Sequence, residues 1–308
     1  MSVSKGWVTS NVTLEGKTAL ITGANSGIGK ETTRELSKRG AKVIMACRDL
    51  ANAEEVKKSI IEEFPNAKVE VGKLDLGSLK SVREFAKSVN DNENRLDILI
   101  NNAGVMCCPQ GKTEDGFEMH LGINHIGHFL LTNLLLDLIK KSAPSRIICT
   151  ASSGYKRGVM KWDDLMCDKE YVPFNVYANS KLANCLFARE LSRRLEGTGV
   201  TCNLIHPGLV LTNLGRHMYG EGRSIGKRIL HAITWPIVLL VFKSPQRGAQ
   251  STIFCAVAEE LKNTSGKYYN SDSEEEQLLD KALNEDDAQK LWKITEKLCG
   301  LNTDADTA

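Results

Sequence analysis

The stretch that decides the fold is Thr22–Gly29, "TGANSGIG", which directly follows the apolar run "KTALIT" (17–22). A helical pattern begins near Ser26, so the chain must turn sharply from a strand into a helix. Three glycines permit such a turn and let backbone N–H groups approach a pyrophosphate. They are Gly23, Gly27 and Gly29. Because the positive end of the helix also faces this turn, the stretch predicts a dinucleotide-binding site.

Apolar, strand-like runs alternate with helical patterns on both sides of this stretch. The strand-like runs are 17–22, 42–47, 68–74, 96–101, 145–152 and 200–206. Helical patterns follow at about 26–39, 52–64, 78–89, 114–140 and 174–195. This alternation is typical of right-handed βαβ units. We therefore predict the fold class α/β, with a single doubly wound parallel sheet of Rossmann type and helices on both faces.

Composition excludes several classes of function. The net charge of +2 and the charged fraction of 25% do not indicate a nucleic-acid partner. The nine cysteines form no Cys-x-x-Cys pair, which favours reduced, buried thiols in a reducing compartment. The polar stretch 1–13 lacks the apolar core of a signal peptide, and no apolar run reaches the length of a spanning helix. We expect an intracellular protein, either cytoplasmic or peripherally membrane-associated.

The second strand-like run ends in "ACRD" (46–49), and its last residues bear on the choice of cofactor. A carboxylate at this position favours the 2′-hydroxyl of NAD, whereas an arginine can pair with the 2′-phosphate of NADP. Because Arg48 comes first, we expect NADP(H). The alternative is that Arg48 lies on the surface while Asp49 turns inward to the ribose.

A tyrosine and a lysine stand four residues apart in "YANSK" (177–181). On a helix these two positions share one face, so a phenol and an ammonium group could act on one ligand. Taken alone, the spacing favours an ordinary amphipathic helix, because Tyr/Lys pairs are common on helices. The neighbouring motifs are needed to choose between the two interpretations.

Joined together, these pieces resemble the short-chain dehydrogenase/reductases from about Leu14 to Lys267. The motifs that carry the resemblance are "TGANSGIG" (22–29), "LDL" (74–76), "NNAG" (101–104), "SS" (152–153), "YANSK" (177–181) and "HPG" (206–208). Longer stretches, such as "TEDGFEMHLGINHIGHFLLTNLLLD" (113–137) and "GKYYNS" (266–271), resemble the retinol dehydrogenase branch and a mitochondrial, peripheral-membrane member of it. The resemblance implies an NADP(H)-dependent oxidoreductase that interconverts a lipophilic alcohol and its aldehyde or ketone, with retinol and retinaldehyde as the expected pair.

The resemblance also assigns catalytic roles to four residues. Tyr177 would exchange a proton with the substrate oxygen, and Lys181 would lower the pKa of Tyr177 and bind the cofactor ribose. Ser153, chosen over Ser152 as the second serine of its pair, would hold the substrate oxygen. Asn124 would anchor a water molecule in a proton relay toward Lys181.

The same resemblance implies cofactor contacts at the carboxyl ends of several strands, where ligands bind in such sheets. The expected cofactor-binding residues are Gly23, Asn25, Ser26, Gly27, Ile28, Gly29, Arg48, Asp75, Leu76, Asn102, Ala103, Gly104, Tyr177, Lys181, Pro207, Gly208 and Thr212. Asp75 and Leu76 would face the adenine, and Thr212 would lie near the nicotinamide carboxamide.

We expect one domain: an N-terminal extension at 1–13, an NADP-binding catalytic domain at 14–300 with a substrate loop at about 212–244, and a C-terminal tail at 301–308. Within the loop, "GKRILHAITWPIVLLVFK" (226–243) is apolar, is flanked by basic residues and is too short to span a bilayer. A lid over a lipophilic substrate, peripheral membrane contact and plain core packing all remain open for it.

Other functions compete with this interpretation. The basic segment 154–165 beside the substrate leaves a carbonyl reductase for other lipid aldehydes or steroids as an alternative. A non-catalytic NADP-binding sensor on the same fold is less favoured, because the whole catalytic set is present. The spacing of His120, His125 and His128 does not match a metal site, so we expect none. The resemblance implies a homodimer paired through the long central helix and the Tyr177 helix.

Overall fold

The strand-like runs form one parallel sheet in the computed structural model, which describes residues 3–4, 6–210 and 242–301. Numbered along the chain, the strands are β1 (Val3–Ser4), β2 (Trp7–Val8), β3 (Thr18–Thr22), β4 (Lys42–Cys47), β5 (Lys68–Lys73), β6 (Ile98–Asn101), β7 (Ser145–Thr150), β8 (Val200–Ile205) and β9 (Tyr268–Tyr269). The last seven pair in the order β5-β4-β3-β6-β7-β8-β9. The chain winds outward in both directions from β3, so β3 and β6 meet at the switch point where doubly wound sheets bind ligands.

Helices cover both faces of this sheet, which confirms the predicted fold class. They are α1 (Gly27–Lys38), α2 (Leu50–Glu63), α3 (Leu79–Asn92), α4 (Met119–Leu121), α5 (Gly127–Lys141), α6 (Pro173–Arg194), α7 (Pro245–Gly248), α8 (Gln250–Val257), α9 (Asp280–Leu283) and α10 (Glu285–Leu298). A π-helical turn, Gly122–Ile126, joins α4 to α5. Among the described residues, no helix has the length and apolar character needed to cross a membrane.

Alternation along β3 divides the core into two layers, and all five residues of this strand are buried. Leu20 packs into the layer formed with α3, α5, α6 and α10. Ala19 and Ile21 point the opposite way, into the layer formed with α1, α2 and α8. Because successive side chains of a strand face opposite sides, one short strand serves both layers and holds the following glycine turn in place.

The predicted N-terminal extension, 1–13, packs on the core of the sheet and its helices where the structure describes it. Strands β1 and β2 form a small antiparallel hairpin. The Val8 backbone N–H donates to Gln250 Oε1 at 2.9 Å, and Val3 and Val12 pack against the core.

The helix α10 covers the faces of α5 and α6 through which the resemblance implied a homodimer. The Trp292 ring lies 4.8 Å from the Phe129 ring and 5.8 Å from the Phe187 ring. The Arg194 guanidinium covers the same indole at 4.2 Å from its centroid. A homodimer through these faces would therefore require α10 to move, which exposes a large apolar surface.

Replacement of Trp292 by alanine is expected to lower the free energy of unfolding by about 3–5 kcal/mol, because the buried indole anchors α10 through several aromatic contacts. Urea unfolding followed by circular dichroism measures this change. Trp7→Ala is the matched control, because Trp7 is 46% exposed whereas Trp292 is 4% exposed. An equal loss of stability in both variants would show that α10 is not anchored in this way.

Candidate active site

The glycine turn after β3 has the backbone geometry that its sequence predicts. Gly23 and Gly27 have φ angles of +65° and +51°, in the left-handed region that favours glycine. A Cβ at Gly29 would lie 2.3 Å from the Gly23 carbonyl oxygen, so the first turn of α1 packs directly on the loop. In the described structure, the Ser26 side chain makes no capping hydrogen bond to α1. The N–H groups of the first turn are therefore left to an anion, which fits a dinucleotide phosphate.

At the tip of β4, the carboxylate of Asp49 caps the start of α2. Its Oδ1 accepts from the Asn52 backbone N–H at 3.1 Å, as expected of an N-cap residue. Arg48 is exposed, and its carbonyl accepts from Lys73 Nζ at 2.7 Å. Two cationic side chains, Arg48 and Lys73, therefore stand beside this tip, whereas the nearest carboxylate already has a partner.

The "NNAG" loop is bound to the glycine turn through Thr22. Thr22 Oγ1 accepts from the backbone N–H groups of Asn102 and Ala103, both at 2.9 Å. The Asn102 side chain donates to the Thr22 carbonyl at 2.8 Å. His128 Nε2 lies 2.9 Å from the same Thr22 hydroxyl. The ends of β3 and β6 therefore form one surface, as the cofactor prediction requires, and Gly104 continues it toward Lys181.

Asn124 lies in the π-helical turn, fully buried, and its amide is satisfied by protein groups. Its Oδ1 accepts from the Val105 N–H at 2.8 Å. Its Nδ2 donates to the Val105 carbonyl at 3.0 Å and to Ser180 Oγ at 2.9 Å. The side chain therefore connects the loop after β6 to the helix α6, and its role in a water relay stays a prediction.

Tyr177 and Lys181 share the buried face of α6, with the Lys181 ammonium 5.9 Å from the centre of the Tyr177 ring. Lys181 Nζ donates to the Thr150 carbonyl at the end of β7, at 3.0 Å. Burial lowers the pKa of Lys181 to about 8. Burial also raises the pKa of Tyr177 to about 12, although a hydrogen bond with Ser152 opposes this rise. Desolvation therefore outweighs the lowering that we expected from Lys181.

The structure brings Ser152, and not the predicted Ser153, to the Tyr177 hydroxyl. Ser152 is half-buried and hydrogen-bonded to Tyr177, whereas Ser153 is exposed. A Cβ at Gly154 would lie 3.3 Å from Ser152 Oγ and 3.4 Å from the Tyr177 ring, so both groups converge on one point. The physical reason is the chain direction after β7. Ser152 Oγ accepts from the Gly154 N–H at 3.1 Å and begins a 3₁₀ turn, which carries Ser153 outward.

The "HPG" turn closes the site on the far side of β8. Gly208 has a φ of +80°, and its N–H donates to His206 Nδ1 at 3.2 Å. The Lys243 N–H donates to the Leu209 carbonyl at 2.7 Å, so Lys243 lies next to the residues that follow Pro207. The predicted Thr212 contact, and the apolar segment 226–243 except for its last two residues, lie outside the described residues.

The remaining predicted cofactor residues lie around the same edge. Asn25 Nδ2 donates to the Asp49 carbonyl at 3.4 Å, and Ile28 packs partly buried against the core. Asp75 Oδ1 accepts from the Gly77 N–H at 2.9 Å just after β5. The Leu76 side chain points into the core and is 7% exposed, so only its backbone can reach an adenine.

The three histidines of the central helix have three different sets of partners. His120 Nδ1 lies 2.7 Å from Glu118 Oε1, and His125 Nε2 lies 3.0 Å from Thr295 Oγ1. His128 lies between Thr22 and the Asn124 carbonyl. Among the residues that the structure describes, no group of three or more His, Cys, Asp or Glu side chains could hold a metal ion.

Sequence reasoning missed several residues that build this site. Thr22 and Ser180 each bond a predicted site residue, and both belong to quoted motifs, so their place in "TGANSGIG" and "YANSK" was the available signal. Tyr171 and Glu118 each contact His120, and the His120 ring lies next to Tyr177. Their spacing from the catalytic motif in the sequence gives no such signal.

A glycine-lined phosphate turn at the switch point, next to the buried Tyr177 and Lys181 and the half-buried Ser152, defines a dinucleotide-dependent oxidoreductase. The chain belongs to the short-chain dehydrogenases: the model of that family, described as "short chain dehydrogenase", matches residues 17–221. This confirms the resemblance found in the motifs. The protein is therefore an oxidoreductase that acts on CH–OH donors and uses a nicotinamide cofactor.

Similar proteins extend over most of the chain. Retinol dehydrogenase 14 of Homo sapiens is 49% identical over 94% of this chain and 88% of its own length. Retinol dehydrogenase 13 of Homo sapiens is 48% identical over 97% of this chain and 89% of its own length. These relatives confirm the predicted branch of the family.

Solved structures share the fold. An uncharacterized protein from Mycobacterium Paratuberculosis has a TM-score of 0.74 and 33% identity, covering 94% of this chain and 95% of its own. A structure from Beutenbergia cavernae with bound NADP has a TM-score of 0.67 and 23% identity, covering 86% of this chain and 98% of its own.

A pair of alanine substitutions distinguishes the roles of Ser152 and Ser153. Ser152→Ala is expected to lower kcat for carbonyl reduction about 100-fold, because it removes the hydrogen-bond donor at the point where charge develops on the substrate oxygen. Ser153→Ala is expected to change kcat less than about twofold, because this side chain faces solvent. Steady-state kinetics of both variants measure the difference, and a larger loss for Ser153→Ala would restore the original assignment.

Proposed function

We propose that this chain is an NADP(H)-dependent oxidoreductase that interconverts retinol and retinaldehyde. The observation that carries the proposal is the hydrogen-bonded Tyr177–Ser152 pair, buried beside Lys181 at the carboxyl edge of the sheet. The substrate class is supported by the similar proteins named retinol dehydrogenase, because this chain matches them over nearly their whole length.

In the direction of reduction, Tyr177 donates its phenol proton to the carbonyl oxygen of the substrate. A nicotinamide cofactor, when bound along the glycine turn, would supply the hydride for the carbonyl carbon. Ser152 Oγ, already within hydrogen-bonding distance of the Tyr177 hydroxyl, holds and polarises the same oxygen. A phenol whose pKa is about 12 is fully protonated at neutral pH, so Tyr177 is ready to act as the acid.

Lys181 restores the proton that Tyr177 gives up. Its pKa of about 8 lies close to neutrality, so the ammonium group can release and regain a proton during turnover. The hydrogen bond to the Thr150 carbonyl keeps Nζ in one position. Asn124, through Val105 and Ser180, holds the loop and the helix on either side of this ammonium group.

The cationic side chains at the tip of β4 support NADP(H) over NAD(H). Arg48 is exposed beside Lys73, and Asp49, the carboxylate that would otherwise bind the 2′-hydroxyl, caps α2. A guanidinium group binds a phosphate through charge-assisted hydrogen bonds. We therefore retain NADP(H) as the proposed cofactor, with Arg48 at its 2′-phosphate.

Replacement of Arg48 by alanine is expected to weaken NADPH binding about tenfold or more and to leave NADH binding unchanged, since only NADPH carries the 2′-phosphate. Quenching of protein fluorescence by each cofactor measures both affinities. Arg34→Ala is the control, because Arg34 pairs with Glu63 away from this tip. Equal weakening of both cofactors would contradict the assigned role of Arg48.

The pH dependence of the two directions is expected to be opposite. Reduction needs the protonated form of Lys181, so kcat for reduction should fall as the pH rises through about 8. Oxidation needs the deprotonated pair, so kcat for oxidation should rise over the same interval. Rate profiles between pH 6 and pH 10 in both directions test this, where those pH limits are about two pH units on either side of the Lys181 pKa. A flat profile for reduction would exclude Lys181 as the proton source.

The function is tested by offering NADPH with all-trans-retinaldehyde, with other lipid aldehydes and with steroid ketones, against a protein-free background. Retinaldehyde is expected to give the highest kcat/KM. Turnover of steroids without turnover of retinaldehyde would contradict the substrate and favour the broader carbonyl reductase. A chain that binds NADPH but reduces no carbonyl would be the non-catalytic sensor.

The remaining proposals concern partners and location. We propose a small lipophilic substrate, no nucleic-acid partner, and an intracellular location that is either cytoplasmic or peripheral to a membrane, with mitochondria implied by the family resemblance. Membrane contact through 226–243 stays a prediction, as does a homodimer. Flotation of the protein with liposomes, compared with a Trp235→Asp variant, tests the membrane contact.

A further inference from the structure

The loop 105–111 leads from β6 toward α4. At its start, the Asn124 amide bonds both the N–H and the carbonyl of Val105. Cys107, two residues later, has a φ of +51°, a left-handed conformation that is unusual for a residue with a side chain. A backbone in this conformation persists only where surrounding contacts hold it. The structure supplies those contacts at the next residue.

The backbone of Cys108 is held by two side chains from elsewhere in the chain. Its N–H donates to His120 Nε2 at 3.2 Å. Its carbonyl accepts from the Tyr171 hydroxyl at 2.9 Å. Both hydrogen bonds hold the backbone of Cys108, the residue that follows Cys107. They therefore determine where the Cys107 side chain points.

His120 is itself oriented by Glu118, and both side chains are buried, at 0% and 2% exposure. Because a backbone N–H can only donate, His120 Nε2 must accept from Cys108, and its proton must be on Nδ1. That proton is donated to Glu118 Oε1 at 2.7 Å. The same carboxylate accepts from the backbone N–H groups of His120 and Leu121, at 2.8 and 2.7 Å. The imidazole is therefore held in one tautomer and one orientation.

The His120 ring also faces Tyr177. The His120 and Tyr177 rings meet edge to face, with centroids 6.3 Å apart. After burial, an electrostatic interaction with Cys107 is a further cause of the raised pKa of Tyr177, so the two side chains lie near each other. The loop held by His120 therefore lies next to the proton donor.

We propose that the Glu118–His120 pair is a positioning device for the substrate side of the active site: it holds the loop 105–111, and with it Cys107, against Tyr177. This inference rests on the proposed function, in which Tyr177 donates a proton to a bound carbonyl compound. Glu118 and His120 do not touch the reacting atoms. They determine the shape of the wall against which the substrate chain lies.

A purely structural role would not require this arrangement. Glu118 already caps the helix start through its two backbone hydrogen bonds, without help from the imidazole. Burial of a carboxylate and an imidazole is unfavourable unless each polar atom has a partner, and an apolar pair could fill the same space. The second imidazole nitrogen is used outside α4, on the loop. The geometry therefore connects the buried pair to the active site.

The test compares three substitutions in the full chain with NADPH. His120→Leu removes both imidazole hydrogen bonds, and His120→Gln keeps an acceptor and a donor on the side chain. His125→Leu is the matched control, because His125 is equally buried in the same helix but bonds Thr295 on α10. Tyr171→Phe removes the hydroxyl that donates to the Cys108 and Pro109 carbonyls, at 2.9 and 3.3 Å, and that lies 3.4 Å from His120 Nδ1. The Tyr171 side chain is partly exposed, so this variant is expected to fold.

Four quantities are measured for each variant: kcat and KM for the carbonyl compound that the wild type reduces best, the NADPH affinity, the melting temperature, and hydrogen exchange of the loop 105–111. For His120→Leu we expect kcat/KM to fall about tenfold and loop exchange to accelerate, with NADPH affinity within twofold of wild type. His120→Gln should recover most of the loss. In Tyr171→Phe, kcat/KM should fall about threefold, because the loop loses the neutral hydrogen bonds that this hydroxyl donates. His125→Leu should lower only the melting temperature.

Several results would overturn the proposal. They are an equal loss of kcat/KM in His120→Leu and His125→Leu, unchanged loop exchange in His120→Leu, or wild-type kinetics in Tyr171→Phe if His120→Leu does not fold. Failure of the proposed function is a separate result. If the wild type reduces other carbonyl compounds but not retinaldehyde, only the substrate is wrong, and the variants are compared on the compound that is reduced. If it reduces none, loop exchange still decides whether His120 holds the loop.

Discussion

The burial of a single ammonium group is the constraint on which the rest of the site depends. Lys181 is 4% exposed, and its Nζ donates to the carbonyl that ends β7. A buried cation is stable only where such partners are fixed, or where its pKa falls, and here both occur. The sheet, the helix α6 and the loop after β6 must therefore meet at one point. The same contact between the sheet, the helix α6 and this loop positions Tyr177 and Ser152.

The two buried ionisable groups shift in directions that suit reduction. Desolvation raises the pKa of Tyr177 and lowers that of Lys181, because it disfavours the charged form of each. The phenol therefore keeps its proton until a substrate oxygen takes it, while the amine exchanges protons near neutrality. The glycine turn is built independently, by backbone geometry directly after β3, at the same edge of the sheet. Function requires the glycine turn and the Tyr177–Lys181 site to be joined. Thr22 joins them by accepting hydrogen bonds from the "NNAG" loop.

Much of the fold and half of the site could be predicted from the sequence, because their signals are local. Strand and helix periods, the glycine turn and the four-residue spacing of Tyr177 and Lys181 each lie within a few neighbouring residues. The choice between Ser152 and Ser153 could not be made, because it depends on how the chain turns after β7. The start of the central helix was placed near 114, but Glu118 caps α4 and delays it to Met119. The strand β9 has only two residues, too few for an alternating pattern to be visible in the sequence.

The central claim is that Tyr177 supplies the proton to a carbonyl oxygen during NADPH-dependent reduction. A single-turnover experiment tests it most directly: enzyme loaded with NADPH is mixed with retinaldehyde, and loss of NADPH fluorescence is followed by stopped flow. In Tyr177→Phe, the account predicts that NADPH still binds and that the hydride-transfer phase slows at least about 100-fold, because the phenol that donates the proton is gone. A Tyr177→Phe enzyme that oxidises NADPH in a single turnover at the wild-type rate would contradict it.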